Sequence, residues 1–192
     1  MYLIFDTETT GLPTRRGAPP SDVGAWPRMV QLAWATYDAD GNRVAAQSFL
    51  IRPDGFTIPP DAQRVHGIST ETAARSGIPV AEALAPFAEA ASGASVLVAH
   101  NFSYDAGVVG AEFHRLRLAN PIPARKHVCT MDESTRYCAI PGPRGFKWPN
   151  LEQLHRKLFG KGLGEAHNAE ADVESCAKCF FELIRLGVVR PG

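Results

Sequence analysis

The chain opens on a short apolar run, Tyr2-Leu3-Ile4-Phe5, that stops at Asp6. A run this short and this apolar predicts a strand over Tyr2–Asp6 at the centre of a sheet. Apolar and polar residues then alternate over Met29–Tyr37, the period of a strand. Asp40-Gly41 signals a turn, and Val44–Ile51 forms the second arm of a hairpin. Pro60–Val65 is predicted as a short helix, Ser69 as a helix start and Pro79–Ala91 as an Ala-rich helix. Val96–Ala99 is a second short apolar strand, ending at His100-Asn101. A helix over 104–118, a strand over His127–Thr130 and helices over Leu151–Phe159 and Ala169–Leu186 complete the pattern. Two Pro/Gly-rich stretches interrupt it: a loop over 11–27 with Arg15 and Arg16 at its tip, and a loop over 141–149 carrying Arg144 and Lys147. A strand meander followed by strands alternating with helices predicts an α/β fold, a mixed sheet flanked by helices.

At 192 residues the chain suits one domain, 1–192, able to bury roughly 70% of its unfolded surface without disulfide staples. Twenty Lys and Arg balance twenty Asp and Glu, so net charge makes no case for a polyanionic partner; local patches or bound cations must supply any attraction. The opening apolar run is too short for a secretory signal, and no window approaches a membrane span. The four cysteines, Cys129, Cys138, Cys176 and Cys179, are therefore expected to be free thiols in the cytoplasm. Cys176-Ala-Lys-Cys179 has C-x-x-C spacing without a second half-site, in a strongly helical stretch. Core thiols are expected there rather than a zinc site.

Candidate chemistry lies in the acids. Asp6 and Glu8 stand two apart on a strand, so their carboxylates share a face and can converge on a hard divalent cation. Asp172-Val173-Glu174 has the same spacing on a helix, where residues two apart diverge. Asp105 follows the second apolar strand, where carboxylates beyond neighbouring strand ends can meet; by itself it reads more readily as a helix-start acid favoured by the dipole. His167 follows the Gly-rich stretch Gly160–Gly164, and Asp172 falls on the first turns of the last helix. That division suits a proton-transfer group beside a fixed ligand, although a surface imidazole and a second helix-start acid would look the same.

The pieces occur in one order. Phe5-Asp6-Thr7-Glu8-Thr9-Thr10-Gly11-Leu12, then Val65-His66-Gly67-Ile68, then His100-Asn101-Phe102-Ser103-Tyr104-Asp105, then His167-Asn168-Ala169-Glu170-Ala171-Asp172 closely resemble the motifs of the DEDDh group of DnaQ-like exonucleases, the family of replicase proofreading subunits. The resemblance runs from residue 2 to about residue 186. It implies a ribonuclease-H-like fold and a 3′→5′ exonuclease that releases nucleoside 5′-monophosphates from nucleic-acid 3′ ends.

The resemblance further implies two Mg²⁺ or Mn²⁺ ions, with Asp6 shared between them, Glu8 and Asp172 on the nucleophile side and Asp105 on the leaving-group side. His167 takes the proton of the attacking water. Backbone around Thr7 and Thr9 contacts the terminal nucleotide, Leu12 wedges against a base, Tyr104 stacks on one, and Asp61 and His66 reach the terminal sugar. Arg15, Arg16, Arg144 and Lys147 are candidate phosphate contacts. Expected partners are single-stranded or frayed 3′ ends, with DNA favoured over RNA, and a DNA polymerase; no membrane is expected. The chain ends soon after its last helix without a polymerase domain, which leaves action alone and action within a replicase both open. The alternatives are an RNA-directed 3′ exonuclease of this fold, an inactive nucleic-acid-binding or polymerase-docking module, and a metal-free acidic interaction domain. The presence of all five catalytic side chains counts against the non-enzymatic readings.

Overall fold

The computed structural model describes residues 1–163 and 168–190. Among them, five strands form one mixed sheet: β1 (Tyr2–Thr9), β2 (Met29–Tyr37), β3 (Arg43–Leu50), β4 (Val96–Ala99) and β5 (Lys126–Cys129), in the order β3-β2-β1-β4-β5. The meander β1-β2-β3 is antiparallel, whereas β4 and β5 run parallel to β1. The mixed sheet flanked by helices is the expected architecture.

β1 is central and runs three residues past the predicted end at Asp6, because its backbone stays paired with β2 as far as Thr9 opposite Met29. The polar residues of Asp6–Thr9 concealed that continuation. Its side chains alternate between two cores. Leu3 and Phe5 pack on one face of the sheet against α3 (Val80–Gly93) and α4 (Phe102–Arg115); Phe5 meets Phe87 and Phe102 with ring centroids 5.4 and 5.7 Å apart. Ile4 packs on the other face against α7 (Ala169–Arg185), whose Ala169, Val173, Cys176, Ala177 and Phe180 form a buried stripe at helical spacing. Fully burying a side chain of this size stabilises by roughly 1.5–3 kcal/mol. The two C-x-x-C sulfurs lie within this stripe, Cys176 and Cys179 both buried, as expected of core thiols.

The smaller helices are α1 (Pro60–His66), α2 (Thr70–Ser76), α5 (Thr130–Cys138) and α6 (Leu151–Phe159). Asn150 and Gln153 close a reciprocal capping box at the start of α6. The pattern of apolar residues did not predict α5, a mostly polar helix that buries only Thr130, Ser134 and Cys138. The 141–149 stretch, expected as a plain loop, holds a small hairpin of β6 (Pro141–Gly142) and β7 (Gly145–Phe146). The 11–27 loop is likewise structured, with a 3-10 turn at Val23–Ala25. Arg115 on α4 fastens it, donating to the carbonyl oxygens of Val23 at 2.6 Å and Trp26 at 2.8 Å. The Trp26 ring lies directly over Gly107, where a β-carbon would collide with it.

Candidate active site

The site forms where β1 leaves the core. The strand period turns Asp6 and Glu8 to the same face as Ile4, toward α7. The first turns of α7 bring Asp172 to meet them, and one carboxylate oxygen from each of the three lies within 4.8 Å of the others. Glu174, two residues on, diverges as helical geometry requires and forms an ion pair with Arg43 at 2.6 Å. Asn168 caps α7 through the Ala171 amide at 3.0 Å. Gln31, paired across β2 from Glu8, accepts the Ala169 amide at 3.3 Å and donates to Ser48 at 3.0 Å, so one side-chain amide links α7 to β2 and β3.

Asp105 reaches the same end of the sheet from the opposite face. Asn101 adopts the left-handed conformation between β4 and α4, a turn that asparagine tolerates better than most residues. Asp105 then falls in the first turn of α4. Its Oδ1 accepts two bonds from Thr7, from the amide at 3.1 Å and from the hydroxyl at 2.7 Å. Thr7, expected as a contact to the nucleotide, is itself buried and spends both donors on holding Asp105.

These acids resist ionisation. Burial, and then the charges of Asp105, Asp172 and Glu8, push the Asp6 carboxyl well above its usual range. Burial and Asp172 raise Glu8 to about 7. Burial raises Asp105 to about 7 against the lowering effect of its Thr7 bonds. Four acids gathered this closely, Asp105 buried and the other three partly exposed, repel one another unless protons or cations neutralise them. An all-carboxylate set of this kind fits a hard divalent cation.

The remaining predicted residues fall into two groups. Tyr104 precedes Asp105 on α4, Thr9 bonds its hydroxyl, and Leu12 lines the same cleft as Tyr104. The Tyr104 hydroxyl lies 2.5 Å from Thr9 Oγ1 and donates to the Gly11 carbonyl at 2.8 Å; burial, helped by the nearby carboxylates, pushes it up to about 12 against the lowering effect of the Thr9 bond. Leu12 projects into solvent. His66 is buried; its Nδ1 accepts the Ile68 amide at 3.1 Å, which leaves the proton on Nε2. That Nε2 is turned toward the Thr9 backbone and makes no well-formed hydrogen bond among the described residues. Asp61 does not join the cluster; it faces solvent on α1 in an ion pair with Arg64. His167 lies outside the described residues.

Two features escaped the sequence reading. His100 is a strut: Nδ1 meets the Thr130 hydroxyl and Nε2 the Pro149 carbonyl, each at 3.0 Å, and burial lowers its pKa to about 4. It ties the base of the 141–149 hairpin to the end of β4. Trp26 and Trp148, with Leu12 and Tyr104, line a cleft of about 620 Å³. The Lys-Trp-Pro run in a Pro/Gly loop was the available signal for Trp148.

A family model described as Exonuclease, RNase T, matches residues 3–180. The PolC-type DNA polymerase III of Streptococcus thermophilus is 29% identical over 184 residues, 96% of this chain and 11% of that protein. A DNA polymerase III subunit epsilon-like protein of Rhodobacter capsulatus is 40% identical over 106 residues, 54% of this chain and 13% of the relative. The chain thus spans about a tenth of the length of these relatives. E. coli exonuclease I, solved in complex with a dA16 oligonucleotide, superposes with a TM-score of 0.75 at 22% identity, covering 96% of this chain and 40% of that one. That likeness speaks for the fold, which is ribonuclease-H-like. Sequence match and architecture agree, and the chain belongs to the DnaQ-like exonucleases of the RNase T family.

Proposed function

We propose that residues 1–192 form a single DEDDh-type domain that removes nucleotides from the 3′ ends of single-stranded or frayed DNA, releasing nucleoside 5′-monophosphates with the help of divalent metal ions. The observation that carries this reading is the convergence of Asp6, Glu8 and Asp172 within 4.8 Å in a chain of exonuclease lineage. Asp6, Glu8 and Asp172 would hold a divalent cation such as Mg²⁺ or Mn²⁺, and Asp105 with Asp6 would hold a second. When bound, the metal supplies Lewis-acid stabilisation of the charge that builds on the phosphate. Thr7 aims Asp105 and favours its ionised form against the effect of burial. His167, five residues before Asp172, accepts the proton of the attacking water, work for which a group titrating near neutrality is suited. His66 offers its Nε2 proton to the terminal sugar, and Leu12 and Tyr104 flank the terminal base. The relatives named as DNA polymerase III proteins support DNA as substrate and a polymerase as partner.

The test follows product release from strands labelled at either end. Mononucleotides should leave from the 3′ end, stop at a 3′-phosphate and disappear in excess EDTA. Loss of 5′ label first, dominant internal cuts or full activity in EDTA would refute the reading. Matched RNA run in parallel identifies the preferred sugar.

A further inference from the structure

The cleft that begins at Leu12 and Tyr104 continues past the residues assigned to the terminal base, to Arg16, Trp26 and Trp148. One wall is the 11–27 loop, with Leu12, Arg16 and Trp26; the other includes Trp148 of the 141–149 stretch, and α4 and the start of α5 line much of the rest. Both walls are built rather than loose. Arg115 and the close fit of Trp26 over Gly107 secure the first. The His100 bond to Pro149 and the Lys147 amide bond to Ile140 at 2.9 Å secure the second. Tyr104 is shared with the candidate active site, because the next residue in the chain is Asp105. Two apolar side chains of the lining are strongly exposed: Leu12 at 81% and Trp148 at 53%. Such exposure beside a concave surface marks a binding site rather than packing.

The charge around the cleft selects the occupant. The Arg16 guanidinium sits 5.5 Å from the centroid of the Trp148 ring, over the face on which a planar ligand would stack. The lining itself holds one cation, Arg16, and one acid, Asp132, and Arg144 and Lys147 are exposed elsewhere in the 141–149 stretch. Aromatic faces interleaved with cations are the chemistry that holds single-stranded nucleic acid, where bases stack and phosphates need positive charge. A cleft of about 620 Å³ is in the range that encloses small planar ligands, roughly 300–1,000 Å³.

We infer that this cleft is a second base-binding site, in which a nucleobase upstream of the terminal nucleotide stacks on Trp148 while Arg16 moves from the ring to the adjoining phosphate. The inference rests on the proposed exonuclease reading and adds to it the recognition of the strand beyond its end. It makes the enzyme a reader of unpaired bases, since a base held in a duplex cannot enter the cleft.

The test pairs a protein change with a substrate change. Short 5′-labelled oligonucleotides carry an abasic residue at the second, third or fourth position from the 3′ end. Their binding is measured by fluorescence anisotropy in Ca²⁺, to slow digestion, with the wild type, Trp148→Ala and Trp148→Phe. Trp148 is exposed, so neither change threatens the fold. Trp148→Ala should bind the unmodified strand roughly 5- to 100-fold more weakly, and Trp148→Phe should recover most of the loss. At one position the abasic penalty of the wild type should vanish in Trp148→Ala, because both changes remove the same stack. Abasic penalties identical in the two proteins at every position, in a wild type that binds and digests strands, would overturn this inference alone and leave the cleft to a protein partner. A wild type that neither binds nor digests any strand would overturn the exonuclease reading and this inference together.

Discussion

At the scale of single residues, the site opposes its own folding. Glu8 and Asp105 have pKa values of about 7 in the folded chain against ordinary values of 4.5 and 3.8. The folded protein therefore binds more protons than the unfolded chain between about pH 4 and 7, and its metal-free stability falls as pH rises through that window. Glu8→Gln removes one charge from the cluster. At pH 8 without metal it should stabilise the protein by on the order of 2–3 kcal/mol, or roughly 5–10 °C in Tm, and the gain should vanish near pH 4. The same change should depress nuclease activity severely. Thermal melts across pH in EDTA, beside activity in Mg²⁺, check both; a variant less stable than wild type at pH 8 would contradict the account. His167 calls for a different measurement. As a base outside the ligand set, His167→Ala should lose roughly 10²–10⁴-fold in rate with metal affinity intact. Calorimetric metal binding compared with single-turnover rates separates that outcome from the loss of a ligand.

At the scale of elements, the loop after β1 depends on a buried charge network. Glu112 of α4 is almost fully buried and accepts from Arg28 at 2.9 Å, Arg115 at 2.9 Å and the Met29 amide at 3.1 Å. It joins α4, the start of β2 and, through Arg115, the 11–27 loop. Losing one partner of a buried pair costs about 3–5 kcal/mol. Glu112→Gln should lower Tm by several degrees and weaken oligonucleotide binding while sparing metal affinity, since no acid of the cluster is touched. Thermal melts and binding isotherms test this; an unchanged Tm would mean that the network is not structural. These elements also show what sequence can and cannot reveal. The convergence of Asp6 and Glu8 was legible because a strand's period of two requires it, and the divergence of Asp172 and Glu174 because a helix's does. The grip of Thr7 on Asp105, the fit of Trp26 over Gly107 and the His100 strut were not, because each joins residues distant in the chain whose types suit many other roles. The helix α5 was missed because few apolar residues mark its face.

At the scale of the whole molecule, a net charge of zero coexists with a local gathering of acids at the end of β1. Among the described residues no helix is long and apolar enough to cross a membrane. The layered sheet brings acids from the first strand, the middle of the chain and the last helix to one point. Tyr2 packs edge-on against Phe180 and Phe181 of α7, so the opening strand and the closing helix share one core. This arrangement has a consequence during synthesis. A ribosome delivers Asp6 and Glu8 before Asp172, so the three-acid cluster cannot assemble until α7 has been made. A nascent or prematurely terminated product that lacks the closing helix carries two of the three clustered acids and half of that core. The docking of α7 on the sheet is then also the step that completes the three-acid cluster.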